Sequence, residues 1–227
     1  MTAYNYERYE PSVYDFLNFV GPKVGEKVPD LKFTDLNGNV VALTSFRGRQ
    51  VVLESGSLTC PMYAKDVTKM HDVAERHPDI AFVVMYVREA HPGSAIPAHK
   101  TLEDKTSDAS RLLDTYNENR QILIDDMEGT AHQLMGPFPN MVYLIDEEGI
   151  VAWRASWSDA KSVEAVLDGT ASSEKLSQDI VPPTRPTPWF AARVLLRAGV
   201  NSLWHFVVTL PTLMRSHKEV EKEIARR

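Results

Sequence analysis

The stretch RQVVLESGSLTCPMY, residues 49–63, decides how the rest of the chain is read. Gln50 to Leu53 form a short β-branched run that reads as a buried strand, and Ser55, Gly56 and Ser57 punctuate its end. Beyond Cys60 the pattern turns helical. Met62, Val67, Met70 and Val73 recur among polar residues, which predicts a helix reaching about His77 and stopped by Pro78. Pro61 suits a first helical turn, where its missing N–H costs nothing and its φ is already helical. Cys60, the only cysteine in the chain, therefore stands where a strand feeds a helix. A lone cysteine ordinarily packs as a small hydrophobe. At a helix N-terminus, however, unpaired backbone N–H groups and the positive end of the dipole favour the thiolate, and the expectation is a nucleophile with a depressed pKa.

Working outward, Lys32 to Leu43 (KFTDLNGNVVAL) carries two strand-like runs around Asn37-Gly38-Asn39, a hairpin signal. IAFVVMYV, residues 80–87, is continuously apolar, as in a parallel strand covered on both faces. A strand, the cysteine helix and this second strand make a βαβ unit. A loop with two prolines and a glycine leads to a helix from about Leu102 to Asn117, and QILIDD, residues 121–126, gives a third short strand. Residues 138–156 read as a hairpin turning at Glu147 to Gly149, and 159–168 as a closing helix. The order ββ, βαβα, β, ββα is the layout of an α/β, thioredoxin-like fold with an N-terminal redoxin β-hairpin. Pro139 stands where such folds carry a cis-proline facing the active cysteine.

The chain divides into an N-terminal extension at 1–24, a thioredoxin-like domain at 25–170, a proline-rich linker at 171–188 and a helical tail at 189–227. The extension, with four tyrosines, is expected to lie across the domain without building it. In the tail, Trp189, Val194, Leu195, Leu203, Trp204, Val207 and Leu210 fall largely at helical spacing, with a break expected at Pro211. Arg193, Arg197 and His205 exclude a transmembrane span. An amphipathic helix on a partner subunit is the first expectation, membrane-surface contact the second, and packing on its own domain the third.

With 227 residues, 43% hydrophobic content and a net charge of −6, the chain has the means for a sizeable core. No basic stripe points to nucleic acid. MTAYNYERYEP contains no charged-then-apolar leader, so a reducing, cytoplasmic location is expected. No CxxC, HExxH or cysteine/histidine cluster indicates a metal, and no bound cofactor is expected. A lone cysteine has no internal partner, so if Cys60 is oxidised in a catalytic cycle, an external thiol reductant such as thioredoxin or glutathione is expected as cosubstrate.

Three separated segments resemble the iodothyronine deiodinases. GSLTCPMY (56–63) is similar to that family's Gly-Ser-Cys-Thr-Sec-Pro-Pro-Phe, with Cys60 in the selenocysteine position. VMYVREAHPG (84–93) resembles its strand ending in Tyr-Ile-Glu-Glu-Ala-His-Pro, and IPAHKTLEDK (96–105) its Ile-Pro-Gln-His-Arg-Ser-Leu-Glu-Asp-Arg. DDMEGTAHQLMGPFPNMVYLID (125–146) resembles a fourth, later segment. The resemblance implies that Cys60 attacks the halogen of an iodinated aromatic ring and that His91 relays a proton, with Glu89 and Tyr86 as neighbours. It implies that Ser57 and Thr59 orient the nucleophile or pass a proton, that His99 clamps a phenol, and that Arg154 is the nearest candidate for a substrate arginine. Homodimers are common in the family. Leu58 replaces the second family cysteine, and the loop between His91 and His99 lacks the family's Asp-Gly-Trp stretch.

The residues read alone agree in part. Strand ends of a parallel sheet gather at one edge, so Cys60 and His91 should open on one crevice, and a histidine beside a thiol can hold or return its proton. His71, His77, His132, His205 and His217 read as surface or packing residues. Two rival functions stay open: a one-cysteine thiol peroxidase, although Ser57 and not threonine stands three residues before Cys60, and a non-catalytic binding module with an ordinary thiol pKa.

Overall fold

The computed structural model describes residues 4–172, 176–177 and 179–226. Residues 1–3, 173–175, 178 and 227, which belong to the extension, linker and tail assigned above, lie outside the described residues. Seven strands form one sheet: β1 (Lys32–Asp35), β2 (Val40–Ala42), β3 (Val51–Gly56), β4 (Ala81–Tyr86), β5 (Gln121–Ile124), β6 (Val142–Ile145) and β7 (Val151–Ala155). Their spatial order is β2-β1-β5-β4-β3-β6-β7. β3, β4 and β5 are parallel, and the hairpins β1–β2 and β6–β7 flank them with antiparallel pairings. The fold is the thioredoxin-like α/β arrangement expected.

The helices are α1 (Pro61–Ala64), α2 (Val67–Arg76), α3 (Leu102–Tyr116), α4 (Thr130–Met135), α5 (Ala160–Leu167), α6 (Pro188–Ala198) and α7 (Val200–Ile224). The helix expected after Cys60 is two, interrupted at Lys65 and Asp66. The buried Asp66 carboxylate accepts from Lys65 and Lys69 at this corner. α4 carried no periodic signal long enough to predict. α3 opens with a capping box in which Thr101 and Asp104 satisfy each other's backbone N–H groups.

Because side chains alternate along a strand, the central strands feed two cores. Val51, Leu53, Val83, Met85 and Leu123 face one side, while Val52, Val84, Tyr86, Ile122 and Ile124 pack with helices on the other. The first face corrects the expectation for the N-terminal extension. Tyr9, Tyr14, Phe16 and Phe19 are all buried in it, so this segment builds the core. Arg88 sits over the rings of Tyr4, Tyr6 and Tyr14, with 4.7–5.0 Å from guanidinium carbon to ring centroid, and pins the segment down.

The tail departs from expectation at Pro211. Its helices meet at Gly199, whose φ of 124° an L side chain rarely adopts, and α7 runs unbroken through Pro211. The inner face packs on the chain's own domain: Val194, Leu195 and Ala198 are buried, α6 lies against α1, and Val220 joins the first core. The Ala198 carbonyl accepts from Ala95 N at 2.8 Å, and Gly93 lies so close to it that a Cβ there would overlap. Trp189, Val200 and Trp204 stay exposed on the outer face. Among the described residues no helix is long and apolar enough to cross a membrane.

Candidate active site

β3 ends at Gly56, and a tight turn through Ser57 and Leu58 delivers Cys60 to the N-cap of α1, with Cys60 N donating to Ser57 O at 3.2 Å. Pro61 occupies the first helical position, as its fixed φ favours. The thiol is 1% exposed. Burial pushes its pKa up to about 12; the N–H groups of Tyr63 and Met62 pull it down, and the carboxylates of Glu89 and Glu54 push it up again. The depressed pKa expected from a helix N-terminus is overturned. Desolvation outweighs the two N–H groups, and in this closed state the sulfur keeps its proton.

The loop after β4 is laced to the cysteine turn. Glu89 accepts from Thr59 N at 2.8 Å, from Thr59 Oγ1 at 2.6 Å and from the Tyr86 hydroxyl. The Tyr86 oxygen in turn accepts from Leu58 N at 3.4 Å. Ser57 Oγ accepts from Ala90 N at 3.1 Å, and Thr59 Oγ1 accepts from His91 N at 3.0 Å. Ser57, Thr59, Tyr86 and Glu89 are therefore brought together, all buried, as the lacing that fixes His91 relative to Cys60. His91 itself is packed between Tyr9 and Phe206, with ring centroids 4.2 and 5.4 Å away. Its Nδ1 is buried without a partner, and burial lowers its pKa to about 3, so the imidazole is neutral.

Cys60 and His91 line one cavity of about 260 Å³. Pro139 lines it as well, yet every described peptide bond is trans, so the cis-proline expectation is corrected. The walls are aromatic and aliphatic: Tyr9 and Phe16 from the N-terminal segment, Trp157 after β7, and Phe206, Leu210 and Met214 from α7. Sequence reasoning missed Tyr9, Phe16, Phe206 and His217 here. The one available signal was the spacing 206, 210, 213 and 217, a stripe along one face of a helix.

Two expected substrate residues are elsewhere. His99 is not among the cavity's lining residues. Its Nε2 lies 3.5 Å from Glu89 Oε1 and 3.4 Å from Asp108 Oδ2. Burial alone would lower its pKa, but Asp108 and Glu89 outweigh burial and raise it. His99 thus backs Glu89 from the far side of the network. Glu89, His99 and Asp108 offer ligand atoms within 4.8 Å of one another, a grouping that could hold a cation. Glu89 spends both oxygens on Thr59 and Tyr86, so the trio reads as an ion-paired support. Arg154 is also turned away from the cavity. Its guanidinium donates to the carbonyls of Phe19 (2.9 Å), Gly21 (3.0 Å) and Pro22 (3.0 Å) and pairs with Asp179, which organises an irregular stretch of backbone.

A second buried ionic group lies beneath the cysteine helix. Arg120 donates to Glu54 at 2.7 Å and to Glu118 at 2.6 Å, and Glu118 also accepts from Tyr63 and meets His71 at 2.9 Å. Arg120 holds the Glu118 carboxyl down at about 2 against the upward push of its own burial.

The family model described as iodothyronine deiodinase matches residues 16–164. The thyroxine 5-deiodinase of Bos taurus is 26% identical over 128 residues, 52% of this chain and 42% of that protein. The human thyroxine 5-deiodinase is also 26% identical, over 45% of this chain and 37% of its own length. The matched stretch thus spans about two-fifths of these relatives. Among solved structures, a Chlorobium tepidum protein described as a thiol:disulfide interchange protein, DsbE, superposes with a TM-score of 0.52 at 20% identity, over 66% of this chain and 96% of that one. A Geobacillus kaustophilus protein gives 0.51 at 16% identity, over 70% and 85%. These two likenesses bear on the fold. With its cysteine and histidine segments inside the matched region, the chain belongs to the iodothyronine deiodinase family.

Proposed function

We propose that this protein is an oxidoreductase, a thiol-dependent reductive dehalogenase that removes iodide from iodinated aromatic rings, with Cys60 as nucleophile and His91 as proton carrier. The observation that carries the reading is the aromatic-walled cavity onto which Cys60 and His91 both open in a chain of this family.

Cys60 rests as a thiol and His91 as a neutral imidazole, so the pair stores the one proton the product needs. The reaction requires bound substrate to drive the thiol proton onto His91 against the pKa values of both groups, giving a thiolate and an imidazolium. The sulfur attacks iodine, a sulfur–iodine bond forms, the carbon–iodine bond breaks, and its electron pair stays on the ring carbon. The imidazolium then protonates that carbon. The sum is Cys–SH plus aryl iodide giving Cys–S–I plus arene. One external thiol displaces iodide, with loss of a proton, to form a mixed disulfide. A second releases Cys60 as thiol and leaves as the oxidised disulfide. Leu58 beside the turn offers no second sulfur, so both reducing equivalents come from outside the chain.

The experiment is iodide release from triiodo- and tetraiodothyronine and from iodotyrosines under excess dithiothreitol, with the Cys60→Ser protein alongside. Iodide that requires Cys60 is the expected result. No iodide from any of them, together with rapid oxidation of Cys60 by peroxide, would replace this reading with a thiol peroxidase.

A further inference from the structure

The cavity's ceiling comes from residues outside the family-matched segment: the 181–187 linker contributes Arg185, and α7 contributes Phe206, Leu210 and His217. His217 is 8% exposed and packs edge-on to Phe16, with ring centroids 5.2 Å apart, and against Trp157 at 6.0 Å. Its Nε2 is buried and has no hydrogen-bond partner. A buried polar atom left unpaired in an apolar chamber costs free energy until something meets it. Burial and then the Arg185 charge lower the His217 pKa to about 4 against the smaller upward pull of Glu221, which pairs with Arg185 at 3.4 Å, so the imidazole is neutral. No carboxylate among the described residues lines the chamber.

Three properties of an occupant follow. Its size is limited: a dry cavity of about 150 Å³ takes one benzene, so two bare rings call for about 300 Å³. The walled part of the cavity, about 260 Å³, holds one ring with its large halogens. Its polar group is an oxygen that can share a proton with a neutral imidazole or carry negative charge towards Arg185. It carries no ammonium, since no lining residue is a carboxylate and Glu221 beside the chamber is already paired with Arg185. We propose that the roofed cavity is a binding site for a single-ring halogenated phenol, with the phenol oxygen held by His217 and Arg185 under the ceiling and the halogen presented to Cys60. The inference rests on the dehalogenase reading for the atom attacked, while the binding site stands on the cavity and His217.

The test is calorimetric titration of the Cys60→Ser protein with 2,6-diiodophenol, its methyl ether 2,6-diiodoanisole, and thyroxine. The phenol should bind about tenfold or more tighter than the ether, the scale of one buried hydrogen bond left unmade, and tighter than thyroxine. His217→Leu on the same background should bring phenol and ether to near equality, and His217→Gln, which keeps a hydrogen-bonding end, should preserve the preference. Equal binding of phenol and ether, or thyroxine binding as tightly as the phenol, overturns the proposal whether or not the His217 variants fold. Iodide release by the unsubstituted protein is scored separately. Phenol preference without iodide removes the dehalogenase reading and upholds the site; iodide without phenol preference removes only the site.

Discussion

Ser202, on the inner face of α7, donates its hydroxyl hydrogen to the backbone carbonyl of His91 at 2.9 Å. The tail is thereby tied to the loop that carries the proposed proton carrier, 111 residues earlier in the chain. Opening of this seam is a route by which reagent can meet the buried Cys60. Ser202→Ala removes one buried hydrogen bond, about 1 kcal/mol, and should raise the rate of Cys60 alkylation by iodoacetamide about fivefold. Gly93→Val, which drives a side chain into the Ala198 carbonyl, should raise it further. Unchanged rates in both would show that the opening runs along another path.

The raised thiol pKa predicts an unusual pH profile. With a pKa near 12, the native thiolate fraction should climb about tenfold per unit from pH 7 to beyond 10, with no plateau. The urea-unfolded chain should level off near pH 9. A native profile that also flattens near 9 would mean that reagent meets Cys60 only in an opened state with an ordinary thiol.

Glu89→Gln separates positioning from reactivity. The neutral side chain loses its charge-assisted bonds to Thr59 and its ion pair with His99, which should slacken the His91 loop and lower kcat for iodide release about 10²-fold. Glu89 also raises the Cys60 pKa, so alkylation of Cys60 should become faster in the same variant. Both rates falling together would argue against this division of roles.

Acid should weaken the fold. Burial is the leading cause that lowers His91 and His132 to about 3 and His217 to about 4. Below the ordinary histidine value of about 6.5 the unfolded chain takes up protons that the native chain refuses. Stability is therefore complete above that pH and falls below it, by up to about 1.4 kcal/mol per pH unit for each histidine. Urea denaturation at pH 7.5 and 5.0 should differ by several kcal/mol, and equal midpoints would contradict the buried neutral state.

Arg154→Met tests a structural assignment. Removing the guanidinium strands the carbonyls of Phe19, Gly21 and Pro22 and leaves Asp179 unpaired, a loss of about 3–5 kcal/mol. The melting temperature should fall while KM per folded molecule stays unchanged. A raised KM at unchanged stability would restore Arg154 as a substrate residue.

Much of this molecule is written locally. The apolar runs at 51–56 and 81–86, the Asn37-Gly38-Asn39 turn and the hairpin around Gly149 each announce an element through period and turn chemistry, and the parallel pairing follows from the intervening helix. Cys60 and His91 could be brought together because strand ends meet at one edge, whereas Ser57, Thr59, Glu89 and Tyr86 are legible through the family resemblance. What stayed illegible depends on partners distant in sequence. An amphipathic helix such as α7 states which face is apolar but not what covers it. Tyr9 and Phe16 lie in irregular chain without periodicity. Arg154 is consumed by carbonyls whose direction no residue type encodes, and a desolvated thiol cannot be told from an activated one until the ceiling is known.

The ceiling also sets an order of events during synthesis. Every strand of the sheet, from Lys32 to Ala155, is made before Pro188 begins α6. Chains assemble from the N-terminus at about 5–20 residues per second, so the sheet can form while the last helices are still unmade. For that interval Cys60 stands open to water and oxidants, with the thiolate far more accessible than in the finished molecule. The newborn chain, and any molecule whose last helices have peeled away, is the form in which this sulfur is most easily lost to oxidation.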